Sequence, residues 1–512
     1  MEEALLGLDL GTSAVKALIC DERGRVLGRG HAEHPINRPV PGAAEQDPED
    51  WWQAVKVATW QALAGRGSSK IAAIGLTGQM HGTILLDRHD RPVLPAIIWA
   101  DARSRAEVEA ITATIGSPRL IQITGSPLAT GFQAATVKWV QRNYAQKWPS
   151  VRRILLPKDY LRLRLTGDFA TDPSDASSTL LLDLNTRQWS EQMLDTVRIE
   201  RSMLPAILPS AAITGTLTGE AANELGLSSG VPVIAGGGDA PCGALGAGIV
   251  DPNSMLLTIS TGGQALVPSD SPKIDTSGRM HTYCSALNRP GWYQMGATLV
   301  AGLAMKWLRD EVFALDDESG YDEMTRLAAM APPGASGLIF LPYLIGERTP
   351  HMNPTARGMF IGLTASHGRA HLTRAVMEGV TFALFDAYDV LRQAGASPAS
   401  VVLAGGGAKS GLWQELVADV FDMTIVPLKT AEQSARGAAL LAGEGVGWFN
   451  AASTAASWVE YGPAVTADSS DHEIYSQLLP MYRDAYAKHI DDFERLAQIE
   501  QNALKRPTAF AE

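Results

Sequence analysis

Cysteine is nearly absent from this sequence: Cys20, Cys242 and Cys284 are the only three among 512 residues. Scattered as they are, they offer neither a disulfide framework nor the paired spacing of a zinc site, and they fit a reducing compartment, so the cytoplasm is expected. Basic charge is also short. Lys and Arg number 43 against 55 Asp and Glu, a net charge of −12, and no basic run offers a surface for nucleic acid or anionic lipid. Long apolar runs are missing as well. The start, MEEALLGLDLG, is acidic where a signal peptide carries basic residues, and the apolar stretch 231 to 250 is interrupted by Asp239 and by glycines, so neither is expected to enter a membrane. Two common nucleotide fingerprints fail too. Ala404 to Ser410 approaches a P-loop but has Leu403 and Ala408 where that pattern needs glycine, and Gly243, Gly246 and Gly248 reverse the dinucleotide spacing.

Glycine, by contrast, is plentiful: 49 residues, about 10% where about 7% is usual. The surplus implies backbone used as binding surface. With 46% hydrophobic and 19% charged residues the chain is ordinary globular protein, and at roughly 150 residues per domain it holds about two to four domains. Residues 4 to 31 read as a β-meander whose first turn is Gly11-Thr12-Ser13. Asp47 and Pro48 open a helix over 47 to 63. The strand Ile71 to Leu76 runs into Gln79-Met80-His81-Gly82, and helical spacing recurs at 132 to 145 and 158 to 166. The strand VPVIAGGGDA leads to a glycine-rich segment. MLLTISTGG at 255 to 263 then repeats the strand-and-turn pattern of LLGLDLGTS, so the halves echo each other about a boundary near 247. A strand ending in Gly405-Gly406-Gly407 precedes a helix from Leu412 to Phe421. A helical stretch from about 472 to 498 and a frayed end close the chain.

Asp9 ends a buried strand before a turn rich in N–H and hydroxyl donors, which suits a phosphate but is also an ordinary hairpin turn. Ser260-Thr261-Gly262-Gly263 and Gly405-Gly406-Gly407 add two more small-residue turns at strand ends, as a gripped nucleotide requires. Asp239, set among glycines, can take a proton from an alcohol; the alternative is a helix cap or turn Asp. His81 can meet a polyhydroxylated ligand or serve structurally. Cys242 lacks nucleophile partners and reads as a small buried thiol. His31 with His34, and His367 with His371, read as solvated pairs. Trp51, Trp52, Trp99 and Trp139 read mostly as core, although Trp99, before Asp101, could stack on a sugar face.

Taken in order, DLGTS at 9 to 13, EQDPEDWW at 45 to 52, QMHG at 79 to 82, LLPKDYLRLRLTGDFA at 155 to 170, GGGD at 236 to 239, LPYLIGERTPH at 341 to 351 and GGGAKSGLWQEL at 405 to 416 resemble the FGGY family of carbohydrate kinases over about residues 5 to 485. The resemblance implies an α/β, two-domain actin/hexokinase-like (ribonuclease H-like) fold with ATP and sugar in the cleft between domains. It implies a sugar-binding N-terminal domain at 1–247, a nucleotide-binding domain at 248–490 and a tail at 491–512. It implies Asp239 as general base and Asp9 as the carboxylate that positions Mg²⁺ through water. Gly11, Thr12, Ser13, Thr261 and Gly262 correspond to phosphate turns, and Gly302, Gly406 and Gly407 to positions near the nucleoside. Met80, His81, Trp99, Asp101 and Asp239 correspond to the sugar-binding set. The implied reaction is ATP-dependent phosphorylation of a ketopentose, D-xylulose first, with another pentulose or a polyol as alternative acceptor and a catalytically silent sugar- or nucleotide-binding regulator as a rival. A homodimer is the assembly entertained. Ala240 and Ala100 depart from the family's ketose pattern, which carries Asn at both positions.

Overall fold

The computed structural model describes residues 3–64, 70–315 and 319–504. The chain divides into two compact units, the first drawn from Met1–Pro252, Pro268–Gln294 and Thr430–Glu460, the second from Asn253–Val267, Met295–Lys429 and Tyr461–Glu512. These units are not contiguous in sequence: two segments from beyond the expected boundary near 247 are built into the first. Helix continues to Leu504, past the 498 expected, and the rest of the expected frayed end lies outside the described residues. Among the described residues no helix is long and apolar enough to cross a membrane.

The first unit is built on the meander β1 (Glu3–Leu10), β2 (Ala14–Cys20) and β3 (Val26–Glu33). All of β1 beyond Glu3 is buried, because it is central: antiparallel to β2 on one side and parallel to β4 (Lys70–Gly78) on the other. Beyond β4 lies β5 (Pro232–Ile234), also parallel, and just after it Gly237 and Gly238 pair with Thr77 and Gly78. The ends of three neighbouring parallel segments thus carry DLGTS, QMHG and GGGD, on the carboxyl edge where open α/β sheets bind ligands. Helix α1 (Pro48–Leu63) starts as its sequence dictates, with Pro48 at the first position and the Asp47 carboxylate accepting the Glu49 N–H at 2.9 Å.

Behind this edge lie α2 (Pro157–Thr166) and α3 (Pro173–Ser178). The segment after β5, expected only to be glycine-rich, is a helix, α4 (Asp239–Gly246). Glycine costs a helix about 1 kcal/mol per residue, but close packing outweighs it here. A Cβ at Gly246 would meet the Gln433 carbonyl at 1.9 Å, and one at Gly437 would meet the Cys242 carbonyl at 2.0 Å. The partner is the helix Gln433–Gly445, one of the segments contributed from late in the sequence. That helix also lies flat on the sheet, since Cβ atoms at Gly7 and Gly75 would strike the carbonyls of Ala435 and Ala438 at 2.0 and 1.9 Å.

The second unit repeats the theme. Strand β6 (Ser254–Ile259) is antiparallel to β7 (Gly263–Ser269) and parallel to β8 (Ser400–Ala404), which is parallel to β9 (Thr424–Pro427). The order β7-β6-β8-β9 matches β2-β1-β4-β5 of the first unit, so the sequence echo is a structural one. Helix α5 (Gly302–Trp307) follows the β-rich segment and α6 (Gly411–Phe421) follows β8. Two helices, Ser469–Lys488 and Ile490–Leu504, occupy the stretch read as one, broken at His489.

Gly75→Ala forces the helix Gln433–Gly445 off the sheet, and is expected to cost about 1–3 kcal/mol of stability in a urea melt. An unchanged midpoint would show that this helix is not seated on β4.

Candidate active site

The register of the first sheet decides the placement of the carboxylates. Asp9 pairs with Thr77 across β1 and β4, while Gly238 pairs with Gly78 on the far side of β4. Asp9 and Asp239 therefore leave from strand ends two positions apart in the sheet. Asp9 is 8% exposed, and its Oδ1 is buried without a hydrogen-bond partner. Burial pushes its pKa up to about 6, against the lowering effect of Lys16. Asp239 opens α4, its residue only part-buried, and its Oδ1 accepts the Ala240 N–H at 2.8 Å. Burial of the carboxyl and then the nearby Asp9 charge push its pKa up to about 7. Asp239 thus senses the Asp9 charge and is poised to exchange a proton near neutrality.

The Gly11-Thr12-Ser13 turn is braced from behind by residues that the sequence reading did not assign. His34, read as solvated, is 6% exposed. Its Nε2–H donates to the Gly11 carbonyl at 3.2 Å, and its Nδ1 accepts from Gln46 at 3.1 Å. Burial lowers its pKa, which keeps the ring neutral, and only the neutral tautomer can accept from Gln46. Gln46 also donates to the Thr12 carbonyl at 2.7 Å. The hidden signal was EQDPEDWW, whose Gln46 lies in a short extended segment before α1. Trp99 Nε1 donates to Thr12 Oγ1 at 2.9 Å, so this indole braces the Gly11-Thr12-Ser13 turn, and the Thr12 hydroxyl has its own proton to give.

Met80 and His81 follow β4. Met80 is 5% exposed and packs on Gly238, where an added Cβ would meet its side chain at 2.8 Å; its sulfur accepts from Tyr293 Oη at 3.9 Å. His81 adopts φ 71, a left-handed conformation uncommon for a non-glycine residue, and its ring stacks on Phe132 at 4.1 Å. The structure therefore brings Met80, His81, Asp9 and Asp239 to one edge. Asp101 differs. Its carboxylate already accepts from Ala44 N at 2.9 Å and pairs with Arg103 at 2.7 Å, and Arg103 also pairs with Glu45. Cys242 is buried and its thiol pKa is raised by burial, as a packing thiol requires.

In the second unit the small-residue turns converge on the end of β6. Thr261 O accepts from Ala301 N and Leu303 N, both at 3.0 Å, and Ser260 O accepts from Gly302 N at 2.7 Å. Cβ atoms at Gly405 and Gly407 would strike Ile259 at 2.3 and 2.5 Å, so these glycines let the β8 exit close on the same strand end. Gly406 is exposed beside them. Behind the turn stands Glu347, from the motif LPYLIGERTPH. Its Oε1 accepts the Leu299 N–H at 2.8 Å, its Oε2 is buried without a hydrogen-bond partner, and burial pushes its pKa up to about 8.

Among the described residues no group of three or more His, Cys, Asp or Glu side chains could hold a metal. A lone carboxylate with an orphaned buried oxygen does suit Mg²⁺, which binds through one or two carboxylates, waters and substrate phosphates. Small-residue turns at strand ends in two echoing sheets, with a carboxylate of raised pKa beside one of them, fit a phosphotransferase of the actin/hexokinase-like fold. The N-terminal domain of the FGGY family of carbohydrate kinases matches residues 4–246 and its C-terminal domain residues 255–445, and the chain belongs to this family; ATP is its phosphoryl donor. It is 41% identical to the xylulose kinase of Escherichia coli over 81% of this chain and 84% of that protein. It is 30% identical to the gluconokinase of Bacillus subtilis over 86% and 87%. The ligand-bound xylulose kinase structure from Lactobacillus acidophilus superposes with a TM-score of 0.92 at 28% identity, covering 96% of this chain and all of that one.

Two consequences of the raised Asp239 pKa are measurable. Activity that needs its carboxylate rises with pH through about 7. The folded chain also holds this proton more tightly than the unfolded chain, so ionising it between about pH 4 and about 7 costs stability. Asp239→Asn is expected to melt at higher temperature than wild type at pH 8, an advantage that disappears in acid. Equal melting at both pH values would contradict the raised pKa.

Proposed function

We propose that the protein transfers the γ-phosphoryl group of ATP to a ketopentose, converting D-xylulose to D-xylulose 5-phosphate and releasing ADP. The observation that carries this reading is the part-buried carboxylate of Asp239, its pKa raised to about 7, on the same sheet edge as Met80 and His81. The resemblance to xylulose kinases over most of the chain supports the choice of sugar.

Asp239 takes the proton of the terminal sugar hydroxyl as its oxygen attacks the γ-phosphorus, and the bond to the leaving ADP oxygen breaks in line. Met80 and His81 hold the ketose, with Trp99 and Asp101 shaping the neighbouring loop. Gly11, Thr12 and Ser13, and in the second unit Thr261 and Gly262, donate N–H and hydroxyl groups to the phosphates. Gly302, Gly406 and Gly407 admit the nucleoside closely. Asp9 would hold Mg²⁺ through water. The ion would supply positive charge against the triphosphate. Three buried free cysteines support the cytoplasm as the site of action.

A second reading, gluconate as acceptor, has the gluconokinase relative in its favour. The assigned sugar set contains no Lys or Arg, and Arg103 nearby is committed to Asp101 and Glu45, so a gluconate carboxylate finds no cation there. Ala240 and Ala100, where family ketose kinases carry Asn, each remove an amide partner worth about 1–3 kcal/mol, so discrimination among pentuloses is expected to be loose.

The experiment is a panel of pentuloses, polyols and gluconate with Mg²⁺ and ATP, read by ADP release and product mass. D-Xylulose should give the highest kcat/KM, at least about a hundredfold above gluconate, and Asp239→Ala should lose roughly 10²–10⁴-fold in kcat while still binding ATP. Near-normal turnover by that variant would overturn the assignment of the base.

A further inference from the structure

The short helix α3 holds no residue of any motif that points to the reaction, yet each of its three serines grips a different site-forming segment. Ser174 Oγ accepts the N–H of Gly238, the residue before Asp239, at 3.1 Å. Ser177 Oγ accepts the Cys284 N–H at 3.1 Å, on the strand His281–Cys284, whose Tyr283 ring lies 6.0 Å from that of His81. Ser178 Oγ accepts the His81 N–H at 3.2 Å, and the Ser178 carbonyl accepts from His81 Nδ1 at 2.8 Å.

Each hydroxyl is fixed as an acceptor because its own proton is spent nearby. Ser174 donates to Asp172 Oδ2 at 2.5 Å, Ser177 to the Ser174 carbonyl at 2.8 Å and Ser178 to the Asp175 carbonyl at 2.7 Å. All three serines are fully buried. The helix is itself pinned. Asp172 caps it through the Ser174 N–H at 2.9 Å, accepts from Ser210 at 2.9 Å and pairs with Lys158 at 3.2 Å. Lys158 and Arg162 in turn donate to the Ala235 carbonyl at 3.2 and 2.6 Å, just ahead of the glycines that lead to Asp239. The loop that carries Asp239 is thus held at its start by α2 and at its end by α3. His81, in a conformation that costs a non-glycine residue energy, is held there by the two hydrogen bonds it donates to Ser178.

We infer that Ser174 and Ser178 are positioning residues for phosphoryl transfer: Ser174 sets the base through Gly238, and Ser178 sets the sugar-contacting ring through His81. The inference rests on the reading of Asp239 as base and His81 as ketose contact. It separates two effects that a merely structural helix would not separate. A misplaced base slows the chemical step, whereas a misplaced ring weakens sugar binding.

The test is steady-state kinetics of full-length Ser174→Ala and Ser178→Ala with D-xylulose and ATP, with a thermal melt of each. Ser174→Ala should lower kcat roughly 10- to 100-fold with the D-xylulose KM within about twofold of wild type. Ser178→Ala should raise that KM about tenfold with kcat lowered less than about threefold, and neither should alter the ATP KM. Wild-type constants for both variants, or equal loss of kcat in both at unchanged KM, would overturn the inference. Should Ser174→Ala not fold, Ser174→Cys keeps the volume with a weaker acceptor and is expected to fold with an intermediate kcat; wild-type kcat there would count against Ser174. Failure of the underlying reading has a different signature. Wild-type turnover by Asp239→Asn, which leaves α3 intact, overturns the base and the Ser174 half with it, while Ser178 is still judged by its KM.

Discussion

Withdrawing carboxyl groups from water close enough for the Asp9 charge to raise Asp239 is the constraint on which the first unit is built. Asp9 and Asp239 both have raised pKa values, chiefly through burial, and Asp239 is raised further by Asp9. Such a pair is unfavourable by itself. The fold sustains it with parallel strand ends that fix both backbones and with a buried ionic cluster beneath. Lys158 and Arg162 face Asp159, Asp172 and Asp175 there, all fully buried. Burial pushes Asp175 well above the usual carboxylate range, against the lowering effect of Lys158. A site that costs stability is thereby anchored to a network that cannot easily move.

Local chemistry was legible in the sequence, and long-range closure was not. The Asp47-Pro48 helix start, the meander and the strand-turn echo at 255 to 263 depend on neighbours within a few residues, and all three stand in the structure. His34 looked solvated because the Gln46 that accepts it into the core, and the Gly11 carbonyl it supports, are separated from it along the chain. The serines of α3 gave no signal for the same reason, since Ser174 meets Gly238 and Ser177 meets Cys284 only in the folded unit. The membership of 268–294 and 430–460 in the first unit is likewise a matter of packing rather than composition.

The glycine surplus proves to have two uses rather than one. Gly406 stands in an exposed turn, where an added Cβ would meet nothing within 4 Å. Gly7, Gly75, Gly246 and Gly437 instead remove the Cβ that would hold a helix off a strand or off another helix. The same device closes Gly405 and Gly407 onto Ile259 in the second unit. Close backbone packing therefore brings the strand ends to their places, while Gly406 leaves the turn beside one of them open.

The central claim is that burial and the Asp9 charge tune Asp239 to take a proton near neutral pH. The most direct measurement is the titration of the Asp239 carboxyl carbon by ¹³C NMR, assigned by difference from Asp239→Asn. The account predicts a midpoint near 7, falling when Asp9 is replaced by Asn because the repelling charge is gone. A midpoint near the ordinary value of 3.8 with Asp9 present would contradict it.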